Sequence, residues 1–268
     1  MTDDTAQGPG VEASSSGTSP LTAVVIAPGW ALVYGATMLA LNLALQFGAR
    51  SEAVLATLRL IVSDVVGSGA ADRALATAAL SAAVMVASYG LMLLPAIAVA
   101  VAARRRGVGL AAAVGLRATD PGRTLRLSVG VVVAGFAVMA LYATMARALG
   151  VTVQGNTAGL VVGFGAGPVE MVLAFLLVGV VAPFVEEVTF RGIVFPSLQS
   201  SWGTWPAMLV SGAIFGIVHL QPTIATPLAV LGMVLAVVFL RTRSLWTAIV
   251  AHCAYNTVSL ALAFVLLR

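Results

Sequence analysis

The sequence contains no lysine, a single cysteine, two histidines and few charged residues of either sign. Only 9% of its 268 residues are charged, whereas about a quarter of the residues of a soluble domain carry charge. Such a chain cannot cover itself with polar surface, which excludes a soluble globular domain. The lone Cys253 excludes an internal disulfide and a metal site built from several cysteines.

What the chain has in abundance is apolar sequence. Hydrophobic residues make up 60% of it, and the mean hydropathy is +1.05. The apolar runs are continuous and lack two-residue alternation, which favours helices over a membrane barrel. We therefore predict an all-α, polytopic transmembrane bundle of about seven to eight helices in the cell membrane. Abundant alanine and the exclusive use of arginine are typical of a GC-rich, bacterial genome.

Seven apolar runs approach or reach the roughly 20 residues that cross a bilayer. An eighth, amphipathic helix is predicted at 52–67. The fifth and sixth runs are short, so one of them is expected to be re-entrant or broken. The seven runs cover 22–47, 75–103, 124–148, 167–198, 204–221, 224–240 and 245–267.

Three regions follow along the chain. Residues 1–20 are rich in Gly, Ser, Thr and Pro and are predicted to form a disordered tail. Residues 21–165 are predicted to hold the N-terminal transmembrane helices and an arginine-rich loop, and residues 166–268 the catalytic core. By the positive-inside rule, the loop at 104–126 and the N-terminus face the cytoplasm. Because the net charge of +4 comes from arginines between apolar runs, we expect no nucleic-acid partner.

Ionisable residues inside apolar runs are expensive and mark a paired or functional site. Glu187 and Arg191 are four residues apart, on one helix face, in the favourable order for an ion pair. Glu186 points about 100° away and needs a partner from another helix. A purely structural role, in which both glutamates only satisfy Arg191 or nearby polar groups, remains the alternative.

The two histidines lie in two further short motifs. His219 ends FGIVH, one turn after Phe215, and could be either a buried structural histidine or a catalytic one. In HCAYN, His252 and Asn256 are four residues apart and share a helix face. That pair could donate hydrogen bonds to an oxyanion, or clamp two helices together.

A membrane-buried Glu/His pair with access to water suggests hydrolysis, with Glu186 as general base and His219 as its partner. Other intramembrane protease chemistries fit less well. The sequence has no HExxH motif for a zinc enzyme, and every aspartate lies before residue 121. The serine-type motif GxSG is also missing, because residues 209–212 read LVSG.

The segments EEVTFR, FGIVH and HCAYN match the patterns EExxxR, FxxxH and HxxxN. In this order they resemble the CPBP (Abi) family of CAAX prenyl proteases and bacteriocin-processing and immunity proteins, over about 166–260. The resemblance implies a cytoplasm-facing polar cavity and peptide-bond hydrolysis by glutamate-activated water. It implies Glu186 as base, His219 as its partner and His252 with Asn256 as oxyanion group. Glu187, Arg191 and Phe215 would support them.

No cofactor is expected, although two Glu and two His could hold a divalent ion such as zinc. A metal is not favoured, because Glu187 is committed to Arg191 and the histidines lack the usual close spacing. The expected partners are the lipid bilayer and a membrane-associated protein or peptide substrate; the sequence leaves the oligomeric state open. Two other functions remain open: a non-catalytic chaperone, immunity or scaffold protein, and a proton-coupled transporter, which would more often show internal repeats.

Overall fold

A computed structural model describes residues 36–37, 70–105, 107–153 and 167–266 of the chain. The predicted tail at 1–20, the first apolar run at 22–47 and the amphipathic segment at 52–67 lie outside the described residues. From residue 70 onward the described helices are α1 Ala70–Met92, α2 Leu94–Arg105, α3 Leu110–Ala113, α4 Pro121–Ala148, α5 Pro168–Trp202, α6 Thr204–Ile217, α7 Ala225–Thr242 and α8 Leu245–Leu266.

Within these ranges the protein is helical and has no strand, as predicted. Five helical segments are long and apolar enough to cross a membrane: Ala82–Arg105, α4, α5, α7 and α8. Helix α6 has 14 residues, or about 21 Å at 1.5 Å per residue, and so falls short of the roughly 30 Å of hydrocarbon. The expectation of a polytopic helical bundle is confirmed. Helix α6 is short and continuous, and the re-entrant or broken segment stays a prediction.

Helix α5 is the longest element, with 35 residues, and two stretches of π-helical backbone interrupt it. They span Phe175–Val181 and Phe190–Val194. Each is followed two residues later by a proline, Pro183 or Pro196. Proline has no N–H to give to the preceding turn and its ring crowds that turn. The wider π turn relieves the clash, so α5 continues through both prolines rather than ending at them.

Helices α6 and α7 form an antiparallel pair whose backbones approach closely at glycines. A Cβ added at Gly232 would lie 3.2 Å from Gly212 Cα and 3.2 Å from Phe215 Cβ. Small residues allow this distance, as is common between membrane helices. The pair packs against α5, and together they carry much of the buried apolar core.

The arginine-rich loop and the α7–α8 connection lie at the same end of the bundle. Arg123 Nη2 donates to the carbonyl of Arg241 at 2.8 Å, and Leu245 N donates to Gly115 O at 2.8 Å. Asp120 caps α4 by accepting from Arg123 N at 2.6 Å. Alternation of the seven apolar runs across the membrane puts these two loops on the same side, and the structure places them at one end of the bundle. Which side that is stays a prediction.

Candidate active site

Three of the four ionisable residues of α5, Glu186, Glu187 and Arg191, lie in the interior of the bundle. Glu187 is 0% exposed and Arg191 2%. Arg191 Nη1 donates to Glu187 Oε1 at 2.7 Å, which is the predicted pair. Arg191 Nη2 also donates to the backbone carbonyl of Gly232 at 2.6 Å, so the guanidinium joins α5 to α7. The arginine is therefore held by two directed hydrogen bonds in a closed, apolar setting.

His252 of α8 contacts both glutamates, which the sequence did not indicate. Its Nδ1 lies 2.9 Å from Glu187 Oε1, and its Nε2 lies 3.8 Å from Glu186 Oε2. Because a carboxylate only accepts, Nδ1 carries the proton of this hydrogen bond. In the neutral ring, Nε2 is then the unprotonated nitrogen, and it faces Glu186. Glu187 thus orients His252 as well as neutralising Arg191.

Glu186 differs from its neighbour in having few partners. It is 9% exposed, and neither of its oxygens has a directed partner like those of Glu187 Oε1; its Oε2, like that of Glu187, is buried without a hydrogen bond from the described part of the chain. Among the described residues no ion pair joins it to His219; the histidine within 4 Å is His252. The structure therefore brings together Glu186, Glu187, Arg191 and His252, and leaves His219 outside direct contact with Glu186.

His219 lies just past the end of α6 rather than inside a helix. Helix α6 ends at Ile217, and His219 forms part of the turn that leads to α7. Pro222 follows three residues later, which disfavours helical continuation. The Nδ1 of His219 lies 2.7 Å from the carbonyl of Phe215. This contact caps the Phe215 carbonyl at the helix end. In the neutral ring it places the proton on Nδ1 and leaves Nε2 unprotonated.

Phe215 connects the two histidines and the arginine. Its ring centroid lies 4.9 Å from that of His219 and 5.7 Å from that of His252. The guanidinium carbon of Arg191 lies 4.9 Å from the same centroid, within cation–π range. Phe215 is fully buried. The phenylalanine of FGIVH therefore packs between His219 and the side of the site that holds Glu187.

Asn256 lies one turn beyond His252 on α8 and reaches back to α5. Its Nδ2 donates to the carbonyl of Val178 at 3.0 Å. Val178 lies in the first π-helical stretch. Asn256 thus ties α8 to α5 on the same face from which His252 contacts the glutamates.

The site can accept and transfer protons, but it is nearly closed. In the neutral rings the two imidazole Nε2 atoms are available, and so is the weakly partnered carboxylate of Glu186. The Glu187 carboxylate accepts two hydrogen bonds through Oε1, while its Oε2 has no donor among the described residues. In the described part of the chain, His, Cys, Asp and Glu side chains form no group of three arranged to hold a metal ion. The predicted roles of the individual residues stay predictions.

Comparison with known proteins agrees with the motif resemblance. Residues 168–258 match the family model described as type II CAAX prenyl endopeptidase Rce1-like. Over 85 residues the chain is 34% identical to the Bacillus subtilis (strain 168) protein named "Putative membrane peptidase YdiL", covering 32% of this chain and 35% of that protein. The chain thus spans about a third of the length of the curated relative it matches. No solved structure matches significantly. The resemblance inferred from EExxxR, FxxxH and HxxxN is confirmed for this segment.

Proposed function

We propose that this chain is an intramembrane endopeptidase that hydrolyses peptide bonds of membrane-associated proteins or peptides. The observation that carries the proposal is the unequal environment of two adjacent glutamates. Glu187 Oε1 accepts from Arg191 and His252, whereas Glu186 makes one longer ion-pair contact in the described chain, with His252 at 3.8 Å. The Oε2 atom of each carboxylate is buried without a hydrogen-bond donor in the described residues. Functional sites commonly divide neighbouring acids in this way, with one fixed in the framework and the other available to react. The family match over 168–258 supports a membrane protease.

In the proposed reaction, Glu186 accepts a proton from water while that water attacks the scissile carbonyl carbon. His219, with its Nε2 unprotonated, assists this proton transfer and later helps deliver a proton to the leaving amine. His252 and Asn256 stabilise the oxyanion. While the tetrahedral intermediate exists, His252 Nε2 carries the proton that Glu186, 3.8 Å away, took from water. As the intermediate collapses, this proton returns through Glu186 and passes to the leaving amine.

The proposed roles require the site to open. Glu186 is 9% exposed and His252 2%, so a peptide backbone cannot reach them in this arrangement. Entry along α6 is favoured, because that helix is too short to span and His219 lies in its terminal turn. Catalytic hydrogen bonds often tighten only when substrate is bound, which accommodates the separation between Glu186 and His219.

The test is cleavage by the protein reconstituted in liposomes. Labelled transmembrane peptides and a prenylated C-terminal CAAX peptide form separate arms, which distinguish the substrate classes. We expect Glu186→Gln, His219→Ala and His252→Ala each to lower the cleavage rate by about 10²–10⁴-fold, the usual contribution of a general acid or base. Glu170→Gln is the matched control, since Glu170 lies in the first turn of the same helix and should retain wild-type cleavage.

The second candidate function is a non-catalytic scaffold or immunity protein. One observation favours it: the Glu187–Arg191–His252 group links α5, α7 and α8 through direct hydrogen bonds, as a purely structural cluster would. The three variants separate the candidates. If all three fold, insert normally and retain wild-type cleavage, the protease proposal is wrong.

A further inference from the structure

The backbone carbonyl of Val178 lies inside a membrane-spanning helix but has no intrahelical donor. In an α-helix the Val178 carbonyl would accept from the N–H four residues later, that of Ala182. That N–H instead donates to Leu177 O, five residues earlier, which is the π-helical spacing. In the π pattern its donor would be residue 183, which is proline and has no N–H. Pro183 therefore leaves the Val178 carbonyl unpaired within α5.

An unpaired carbonyl in the apolar interior needs a donor from elsewhere. Asn256 supplies it, because its Nδ2 lies 3.0 Å from Val178 O. A carboxamide has two N–H groups on this nitrogen and one carbonyl oxygen. A fixed acceptor for one N–H determines which end of the amide is the nitrogen and which is the oxygen, and it also fixes the amide plane. The second N–H then has a defined direction.

We propose that Pro183 is a positioning residue for Asn256: it keeps the Val178 carbonyl free so that this carbonyl orients the Asn256 amide. His252 lies one turn away on the same face of α8 and contacts both glutamates, so the same hydrogen bond fixes the register of α8 against α5. The part of this inference that concerns catalysis rests on the proposed function, while the pairing of Pro183 with Asn256 stands on geometry alone.

The test is a double-variant cycle with Pro183→Ala and Asn256→Leu. Alanine at 183 restores an N–H that can reach the Val178 carbonyl, and leucine removes the amide while keeping its approximate shape. Asn256→Leu alone should reduce kcat by about 10²–10³-fold, the typical effect of losing one oxyanion donor, with a smaller change in KM. Pro183→Ala alone should lower kcat, because the freed amide can rotate. In the Pro183→Ala background, Asn256→Leu should then have a much smaller effect.

Thermal unfolding in detergent gives a second readout that does not depend on activity. Asn256→Leu should lower Tm by about 2–4 °C, the response expected for the loss of one ordinary hydrogen bond in a chain of this size. In the Pro183→Ala background it should not lower Tm. Pro196→Ala is the matched control: Pro196 follows the second π stretch of the same helix, and its effects should add to those of Asn256→Leu.

Equal effects of Asn256→Leu in both backgrounds, on kcat and on Tm, would overturn the inference while leaving the proposed function intact. The same holds if Asn256→Leu fails to fold and Pro183→Ala does not restore folded yield. If the wild-type protein shows no cleavage but the Tm cycle is non-additive for Pro183 and additive for Pro196, the proposed function fails and the pairing stands.

Discussion

Replacing Glu187 by alanine should destabilise the protein strongly, and the size of the effect follows from burial. An exposed Glu–Arg pair four residues apart on a helix contributes only about 0.3–0.5 kcal/mol. Glu187 and Arg191 are instead 0% and 2% exposed, which places them among buried pairs. Removing one partner of a buried pair costs about 3–5 kcal/mol, because the other charge is left without compensation.

In Glu187→Ala the Arg191 guanidinium would keep only the Gly232 carbonyl, 2.6 Å away, and His252 would lose its acceptor. The free energy of unfolding of a domain is about 5–15 kcal/mol, so the cost of this substitution is a large fraction of the stability of the protein. At about 2–4 °C per kcal/mol for a large domain, Tm should fall by on the order of 10 °C. The folded yield after membrane extraction should fall with it.

The assay is thermal unfolding and monodisperse yield of detergent-purified protein, with Glu170→Ala as control. Glu170 is an acid in the first turn of the same helix, and its loss should cost less than about 1 kcal/mol. The double variant Glu187→Leu with Arg191→Met removes both charges and should be more stable than Glu187→Ala, since apolar replacement of a whole buried pair is often neutral. If Glu187→Ala keeps full yield and Tm yet abolishes turnover, the division of roles between the two glutamates is wrong.

Three further outcomes are expected. Gly216→Ala should lower the free energy of unfolding by about 1–3 kcal/mol, because a Cβ there would overlap the Ala225 carbonyl oxygen of α7 and lie 2.9 Å from Ala229 N. Gly130 lies in open space, so Gly130→Ala should leave the free energy of unfolding unchanged; equal unfolding curves for the two variants would contradict the close packing. Arg191→Lys should lower Tm, because a single ammonium cannot reproduce the planar fork that reaches both Glu187 and Gly232; an unchanged Tm would argue against that fork. Chelators should leave cleavage unchanged, and a loss that added zinc restores would show a metal-dependent site.

The sequence was a good guide to elements whose signal is local. Apolar runs predicted the helices from α4 onward to within a few residues, and the four-residue spacing predicted the Glu187–Arg191 pair. Both depend only on neighbours along one helix. The apolar run that predicts α6 extends to residue 221, whereas the helix ends at Ile217, because the sequence stays apolar through the turn that holds His219.

Contacts between helices were much harder to predict. His252 was expected to serve with Asn256 at an oxyanion, and its hydrogen bond to Glu187 was not foreseen, because that contact depends on the rotation of α8 against α5. The two π-helical stretches also escaped prediction, although Pro183 and Pro196 inside one long apolar run were a usable signal. A proline inside a helix requires either an end of the helix or a widened π turn, and the apolar periodicity of the sequence does not indicate which of the two occurs.

The π-helical stretches of α5 also affect where this sequence can change length. A widened turn holds one residue more than a regular helix needs. In a relative without a proline at the position of Pro183, deleting one residue within Phe175–Val181 would convert the turn to α-helix and leave the faces on either side in phase. A deletion elsewhere in α5, before residue 187, would rotate every later side chain by about 100°, turning Glu187 away from His252 and Arg191 away from Gly232. Single-residue gaps in relatives of this protein are therefore expected inside this transmembrane helix, at its π turns, as well as in loops.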